Sequence, residues 1–291
     1  IRALLVLGAA IVVAALVVSC SSTPPEPPVA KTEAHVDTVH GDIRVDNYFW
    51  LRDRENPEVI SYLEAENAFT EAVMKPTERF QNKLFEEIKG RIKETDLSVP
   101  VREDSFYYYS RDEEGKQYKI YCRKKGSLEA EEEILLDVNE LAEGYEFFNL
   151  GGYYMSPDHQ LIAYSFDTTG REIYGLKIKN TVTGEMLADE INNFDGRATW
   201  ALDNKTFFYT TQDEALRPYR LWRHKLGTSQ DDDVMLYEEP GERMNVYAWS
   251  TRDEKYILMG LFTIGTSEYY YLPADDPDGE FKRFAKRQDG I

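Results

Sequence analysis

The chain has 291 residues, and its 34 Lys and Arg against 53 Asp and Glu give a formal charge of −19. Such an acidic surplus excludes a phosphate-backbone binder, which needs clustered Lys and Arg, so no nucleic acid partner is expected. Two cysteines exclude a disulfide-dense scaffold and a Cys-rich zinc site, and the four dispersed histidines (His35, His40, His159, His224) lack zincin spacing, so neither a metal nor a cofactor is expected.

Residues 1–18 carry one charge, Arg2, and an apolar run from Ala3 to Val18. The run is short for a membrane-spanning helix, which takes about 20 residues, and fits the apolar region of a signal peptide. Val17-Val18-Ser19-Cys20 resembles a bacterial lipobox, in which the Cys becomes the lipidated N-terminus. Residues 1–19 therefore read as a signal peptide and Cys20 as the lipidation site. Residues 20–31, rich in Ser and Pro, read as an extended tether. Ser21 after the Cys points to the bacterial cell envelope, at the outer membrane facing the periplasm. With Cys20 lipidated, Cys122 is a lone thiol, read as a packed strand residue.

Residues 32–95 form an N-terminal segment with two helices. Asn56-Pro57 supplies an N-cap and a Pro at the first helical position. Val59, Ile60, Leu63, Phe69 and Val73 follow on one stripe, and Pro76 interrupts. A second helix carries Phe80, Leu84, Ile88 and Ile92 four apart. Both stripes read as packing faces.

From residue 96 onwards, short apolar and aromatic runs alternate with turn residues, which is an all-β texture. It repeats. Asp104, Asp158, Asp203 and Asp253 stand 54, 45 and 50 residues apart, each before a strand-like run. These runs are 106–109, 161–165, 207–210 and 256–260. Second runs follow at 118–123, 173–178, 219–223 and 269–272. A period near 50 matches four-stranded propeller blades. The Asp is read as bonding its own turn backbone. Residues 96–291 thus read as the first blades of a β-propeller, with an incomplete last blade. The chain is expected to be an N-terminal fragment.

Several dense motifs carry a resemblance. They are His40-Gly41-Asp42, Asp46-Asn47-Tyr48-Phe49-Trp50-Leu51-Arg52-Asp53, Tyr62-Leu63-Glu64-Ala65-Glu66-Asn67 and Lys89-Gly90-Arg91-Ile92-Lys93-Glu94-Thr95-Asp96. Further along come Ser156-Pro157-Asp158, Gly170-Arg171-Glu172-Ile173-Tyr174 and Arg217-Pro218-Tyr219-Arg220-Leu221-Trp222-Arg223-His224. From about residue 30 on, the chain resembles the N-terminal part of the prolyl oligopeptidase family, and within it the oligopeptidase B branch. The resemblance implies a seven-bladed propeller that gates access to an α/β-hydrolase domain with a Ser-Asp-His triad. It also implies hydrolysis of short peptides after Arg or Lys, and an N-terminal helical segment that packs on the hydrolase.

No G-x-S-x-G nucleophile motif occurs, so the hydrolase domain is absent from these residues and no catalytic residue is assigned. Gly265-Thr266-Ser267-Glu268-Tyr269 is the nearest match and reads as a turn. No substrate-binding residue is assigned either. The acid runs Glu131-Glu132-Glu133 and Asp231-Asp232-Asp233 read as solvated loops, with attraction of basic peptides as the competing reading. The expected partners are short basic peptides, the protein's own C-terminal hydrolase domain and, through the lipid, the membrane. The alternative is a stand-alone lipid-anchored propeller that binds peptides or scaffolds partners without catalysis.

Overall fold

The structure is a computed structural model and describes residues 26–241 and 243–289. The expected signal peptide and the lipidation site Cys20 lie outside the described residues. No helix among the described residues is long and apolar enough to cross a membrane. The chain divides into two units, with the boundary between Lys93 and Glu94.

The first unit opens with a hairpin of β1 (His35–Val39) and β2 (Asp42–Asp46). His40 and Gly41 turn it with φ of 53° and 90°, the left-handed pair that a two-residue hairpin needs. Helix α1 (Pro57–Met74) starts as its cap signal requires: the Asn56 side chain accepts from the Glu58 N–H at 2.9 Å. Pro76 lies in a single 3₁₀ turn, Lys75–Thr77, and α2 (Glu78–Lys89) follows. The apolar stripe of α2 is exposed, with Phe80 at 61% and Ile88 at 58%.

The second unit is a series of four antiparallel sheets, the second and third of which share the long strand β10 and so run on as one seven-stranded sheet. The first contains β3 (Val101–Glu103), β4 (Phe106–Arg111), β5 (Ile120–Lys125) and β6 (Glu132–Asp137). A one-turn helix, α3 (Val138–Leu141), follows it. The second holds β7 (Asn149–Met155), β8 (Leu161–Asp167), β9 (Tyr174–Asn180) and the start of β10 (Met186–Trp200). The end of β10 then begins the third, with β11 (Thr206–Gln212), β12 (Pro218–Lys225) and β13 (Val234–Glu238). The register of β10 shifts on both sides of Phe194, where the strand leaves β9 and joins β11. The fourth contains β14 (Asn245–Ser250), β15 (Tyr256–Thr263), β16 (Thr266–Pro273) and β17 (Lys282–Asp289). This sheet has its full four strands, so the expected incomplete last blade is corrected. The segment after Pro273 returns along β16 as a paired strand, although its basic sequence carries no strong strand pattern.

Apolar residues on alternate faces bind each sheet to the next. Phe106, Tyr108 and Leu136 meet Ile162 and Tyr164 between the first two sheets. Leu176, Ile178 and Phe194 meet Trp200, Phe207 and Tyr209 between the second and third. Phe208 and Leu221 meet Val246, Ile257 and Leu261 between the third and fourth. In β11 the alternation is visible residue by residue: Phe207 and Tyr209 point one way and Phe208 the other.

Candidate functional site

The hairpin turns that follow the first strand of each sheet (β3, β7, the end of β10, and β14) gather on one side of the series. They enclose a cleft of about 320 Å³. Its floor is Trp200, whose indole N–H donates to the Tyr154 carbonyl at 3.1 Å. Thr199 and Ser250 close it with a hydroxyl pair 2.6 Å apart. Glu103, Asp104 and Glu254 line it, with no Lys or Arg among the lining residues. Such a cleft suits a cationic group.

The repeated Asp residues build these turns. Asp203 Oδ1 accepts from the Lys205 and Thr206 N–H groups at 3.0 and 2.9 Å. Asp158 accepts from the Ser156 hydroxyl at 2.6 Å and the Gln160 N–H at 3.0 Å. Asp253 accepts from the Thr251 hydroxyl at 2.7 Å. Asp104 departs from the pattern. Its turn is two residues shorter, with Glu103 paired directly to Phe106, and Asp104 takes the left-handed position at φ 50°. That position belongs to His159, Asn204 and Glu254 in the other three turns. The Asp104 carboxylate instead faces His159 Nε2 at 3.3 Å.

Three of the four histidines have structural partners, and the fourth, His40, is exposed in a turn. His35 stacks on Phe49 at 3.7 Å, and His40 occupies the first hairpin turn. His159 is held between Tyr108, at 2.7 Å from Nδ1, and Asp104. His224 is fully buried between Asp233 and Asp189. None reaches a serine hydroxyl or a thiol, which a hydrolytic base must do. The Ser156 hydroxyl is spent on Asp158 and on the Leu161 N–H. Cys122 packs in β5 with Tyr109 and Ile120, and burial pushes its thiol up to about 12, so it carries no thiolate. Gly265 turns the β15–β16 hairpin at φ 83°, and Ser267 lies within β16, opposite Phe262. The described residues thus contain no nucleophile–base pair. All their strand pairings are antiparallel, which excludes a hydrolase sheet among them.

The acid runs bear out the solvated-loop reading in part: Glu131, Asp231 and Asp232 are exposed, whereas Glu132, Glu133 and Asp233 are drawn into contacts. Glu132 accepts from the Tyr109 hydroxyl at 2.5 Å and from Arg111 at 3.1 Å. Glu133 pairs at 2.7 Å with Arg123, itself buried against Phe106. Asp233, just before β13, buries its side chain against His224 at 2.7 Å. These acids hold strands rather than substrate. The cleft acids Glu103 and Glu254 escaped the sequence reading. Their only signal is adjacency to the repeated turns.

Residues 27–290 match the prolyl oligopeptidase N-terminal β-propeller domain. The chain belongs to this family. The prolyl oligopeptidase relatives include dipeptidyl aminopeptidase BI of Pseudoxanthomonas mexicana, 39% identical over 93% of this chain and 39% of that protein. Protease 2 of Moraxella lacunata is 36% identical over 91% of this chain and 39% of its own length. Among solved structures, oligopeptidase B from Leishmania major superposes with a TM-score of 0.84, at 30% identity over 91% of this chain and 40% of that one. The chain therefore spans about two fifths of the length of the prolyl oligopeptidase relatives it matches.

Proposed function

We propose that this chain is the propeller part of a serine peptidase that hydrolyses short peptides after Arg or Lys. The nucleophile, acid and base would lie on sequence outside these 291 residues, and the propeller would restrict access to them. The observation that carries the reading is that the described residues contain no nucleophile–base pair, with His159, His224 and Cys122 held by structural partners, in a chain that spans two fifths of peptidase relatives. The net charge of −19 and the acidic cleft favour cationic peptides by steering. The 291-residue chain alone should leave an Arg-terminated chromogenic peptide intact, whereas the full-length protein should cleave it. Turnover by the 291-residue chain would place a triad within it and sink the proposal. Equal inactivity of the full-length protein would favour a stand-alone propeller that binds peptides without cutting them.

The 39% identity to dipeptidyl aminopeptidase BI supports a second reading, release of N-terminal dipeptides. Peptides with a free or an acetylated N-terminus separate the two. Internal cleavage after Arg that ignores acetylation supports the oligopeptidase reading, and a requirement for the free amine supports the other. We also propose that Cys20 carries a lipid that anchors the protein in the cell envelope. Labelling with a radioactive fatty acid should then mark the wild type and not Cys20→Ala, and an unlabelled wild type refutes the anchor.

A further inference from the structure

Lys31 ends the stretch read as a tether, and the first unit grips it by both side chain and backbone. Its ammonium pairs with Glu58, and with Glu33 at 3.3 Å, and lies 4.9 Å from the centre of the Trp50 ring. Its carbonyl oxygen accepts from the Trp50 indole N–H at 3.0 Å. Two residues on, the Glu33 N–H donates to the Asn47 carbonyl at 2.9 Å, and β1 follows. Trp50 sits in a short 3₁₀ helix, Phe49–Arg52, with its ring edge-on to Tyr62 of α1 at 6.3 Å. Two residues before Lys31 the grip is gone, and Val29 is 90% exposed.

Lys31 is also the sole Lys or Arg between Arg2 and Arg44. A trypsin-like protease seats the Lys ammonium against a carboxylate and the carbonyl oxygen of the bond it cuts against hydrogen-bond donors. Glu58 and Trp50 hold these same two groups of Lys31. Exposed chain ends are preferred sites of nicking, and cleavage draws on the fraction of molecules in which the segment has opened. We propose that the Lys31–Thr32 bond is a release site for the lipid-anchored protein, latched shut by Trp50, Glu58 and Glu33. The proposal rests on the reading of Cys20 as the lipidation site. The covalent step is hydrolysis by an Arg/Lys-specific protease. Water adds across the amide, which leaves a carboxylate on Lys31 with the lipid-bearing peptide and an amine on Thr32. With no other basic residue between Cys20 and Lys31, this is the one such bond whose cleavage frees everything from Thr32 onwards. An anchored enzyme that cuts after Arg or Lys, held beside copies of itself, would otherwise meet this Lys in each neighbour's tether.

The test is digestion of the membrane-bound full-length protein with limiting trypsin. Mass spectrometry reads the new N-terminus at Thr32, and sedimentation reads the protein that leaves the membrane. The wild type should stay attached. Trp50→Phe should acquire the Thr32 N-terminus about tenfold faster and shed, because losing the indole hydrogen bond and part of the ring face raises the open fraction. Glu33→Gln with Glu58→Gln should shed faster than the wild type as well, and Lys31→Gln should abolish the cut in either background. Equal rates in the wild type and these variants overturn the latch. Absence of the Thr32 N-terminus from every variant overturns the release site. Should Trp50→Phe fail to fold, the Glu33→Gln, Glu58→Gln protein decides, since both changes lie on the surface. A wild type that takes up no fatty acid refutes the anchor, and the rate at which the Thr32 N-terminus forms then judges the latch by itself.

Discussion

Both ring nitrogens of His224 face carboxylates, Asp233 Oδ1 at 2.7 Å and Asp189 Oδ1 at 3.0 Å. A neutral imidazole has one N–H to give, so only the imidazolium satisfies both. Burial pulls the ring's pKa down, but the hydrogen bonds and charges of Asp233 and Asp189 outweigh it and leave it raised above the ordinary 6.5. The carboxylates are held in turn by the Tyr209 hydroxyl on Asp233, at 2.7 Å, and the Gly227 N–H on Asp189, at 2.6 Å. For a raised histidine, the stabilisation is complete below 6.5 and is lost as pH climbs through the folded value. His224→Gln should therefore cost about 3–5 kcal/mol at mildly acidic pH, the range for breaking a buried ion pair. The gap between mutant and wild type should narrow in alkaline buffer. Urea midpoints at both ends of the pH range check this, and a gap that widens with pH would refute the charged-ring assignment. The sequence did not expose this cluster. Asp233 looks like its neighbours Asp231 and Asp232, and only the return of β13 beside β12 draws it inside.

The turn Asp residues show where a sequence repeat is a structural repeat and where it is not. Asp203 satisfies two backbone N–H groups and the Thr206 hydroxyl, at 2.7 Å from Oδ2. Asp203→Ala should cost about 1–2 kcal/mol, since each hydrogen bond contributes roughly 1 kcal/mol net. Asp104→Asn should be nearly neutral, because the exposed carboxylate only faces His159 and Asn tolerates the left-handed φ of 50°. Chemical denaturation of the two variants side by side decides the point, and equal losses would restore Asp104 to the repeat. The strands after each Asp were legible because aromatic and β-branched runs between turn residues define them locally. The first was legible only approximately: spacing placed Asp104 in register, but a shorter hairpin shifts the conformation by one position. The break within β10 was not legible, since its cause is the pairing of one strand with two different neighbours. Charged residues on the third strands were equally opaque. Arg123 reads as a surface residue, yet it donates to the His159 carbonyl at 2.6 Å and to Thr181 at 3.2 Å, tying the first sheet to the second.

At the scale of the molecule, each sheet buries one face on its predecessor, and the fourth carries a second apolar face. On the side away from the third sheet, Phe262 meets Trp249 at 5.9 Å and Tyr269 at 5.3 Å. Gly260 makes room for this layer, because a Cβ there would lie 2.4 Å from the Phe262 ring. These aromatics are half-buried, so part of the layer stays in contact with water. The first unit adds the exposed stripe of α2, with Phe80, Leu84 and Ile88. The sequence marked that stripe through its spacing of four, but spacing identifies a face without identifying its cover. Contiguous apolar patches beyond a few hundred Å² are rare on monomeric proteins and mark interaction surfaces. The 291-residue chain on its own should therefore self-associate. Light scattering across a concentration series should give a mass above 33.7 kDa that rises with concentration. Phe80→Asp with Ile88→Asp should lower that mass, because charge on the stripe opposes its burial. A monodisperse monomer with one sharp melting transition would instead mean that water tolerates both faces, and would shift the balance towards a propeller that works alone.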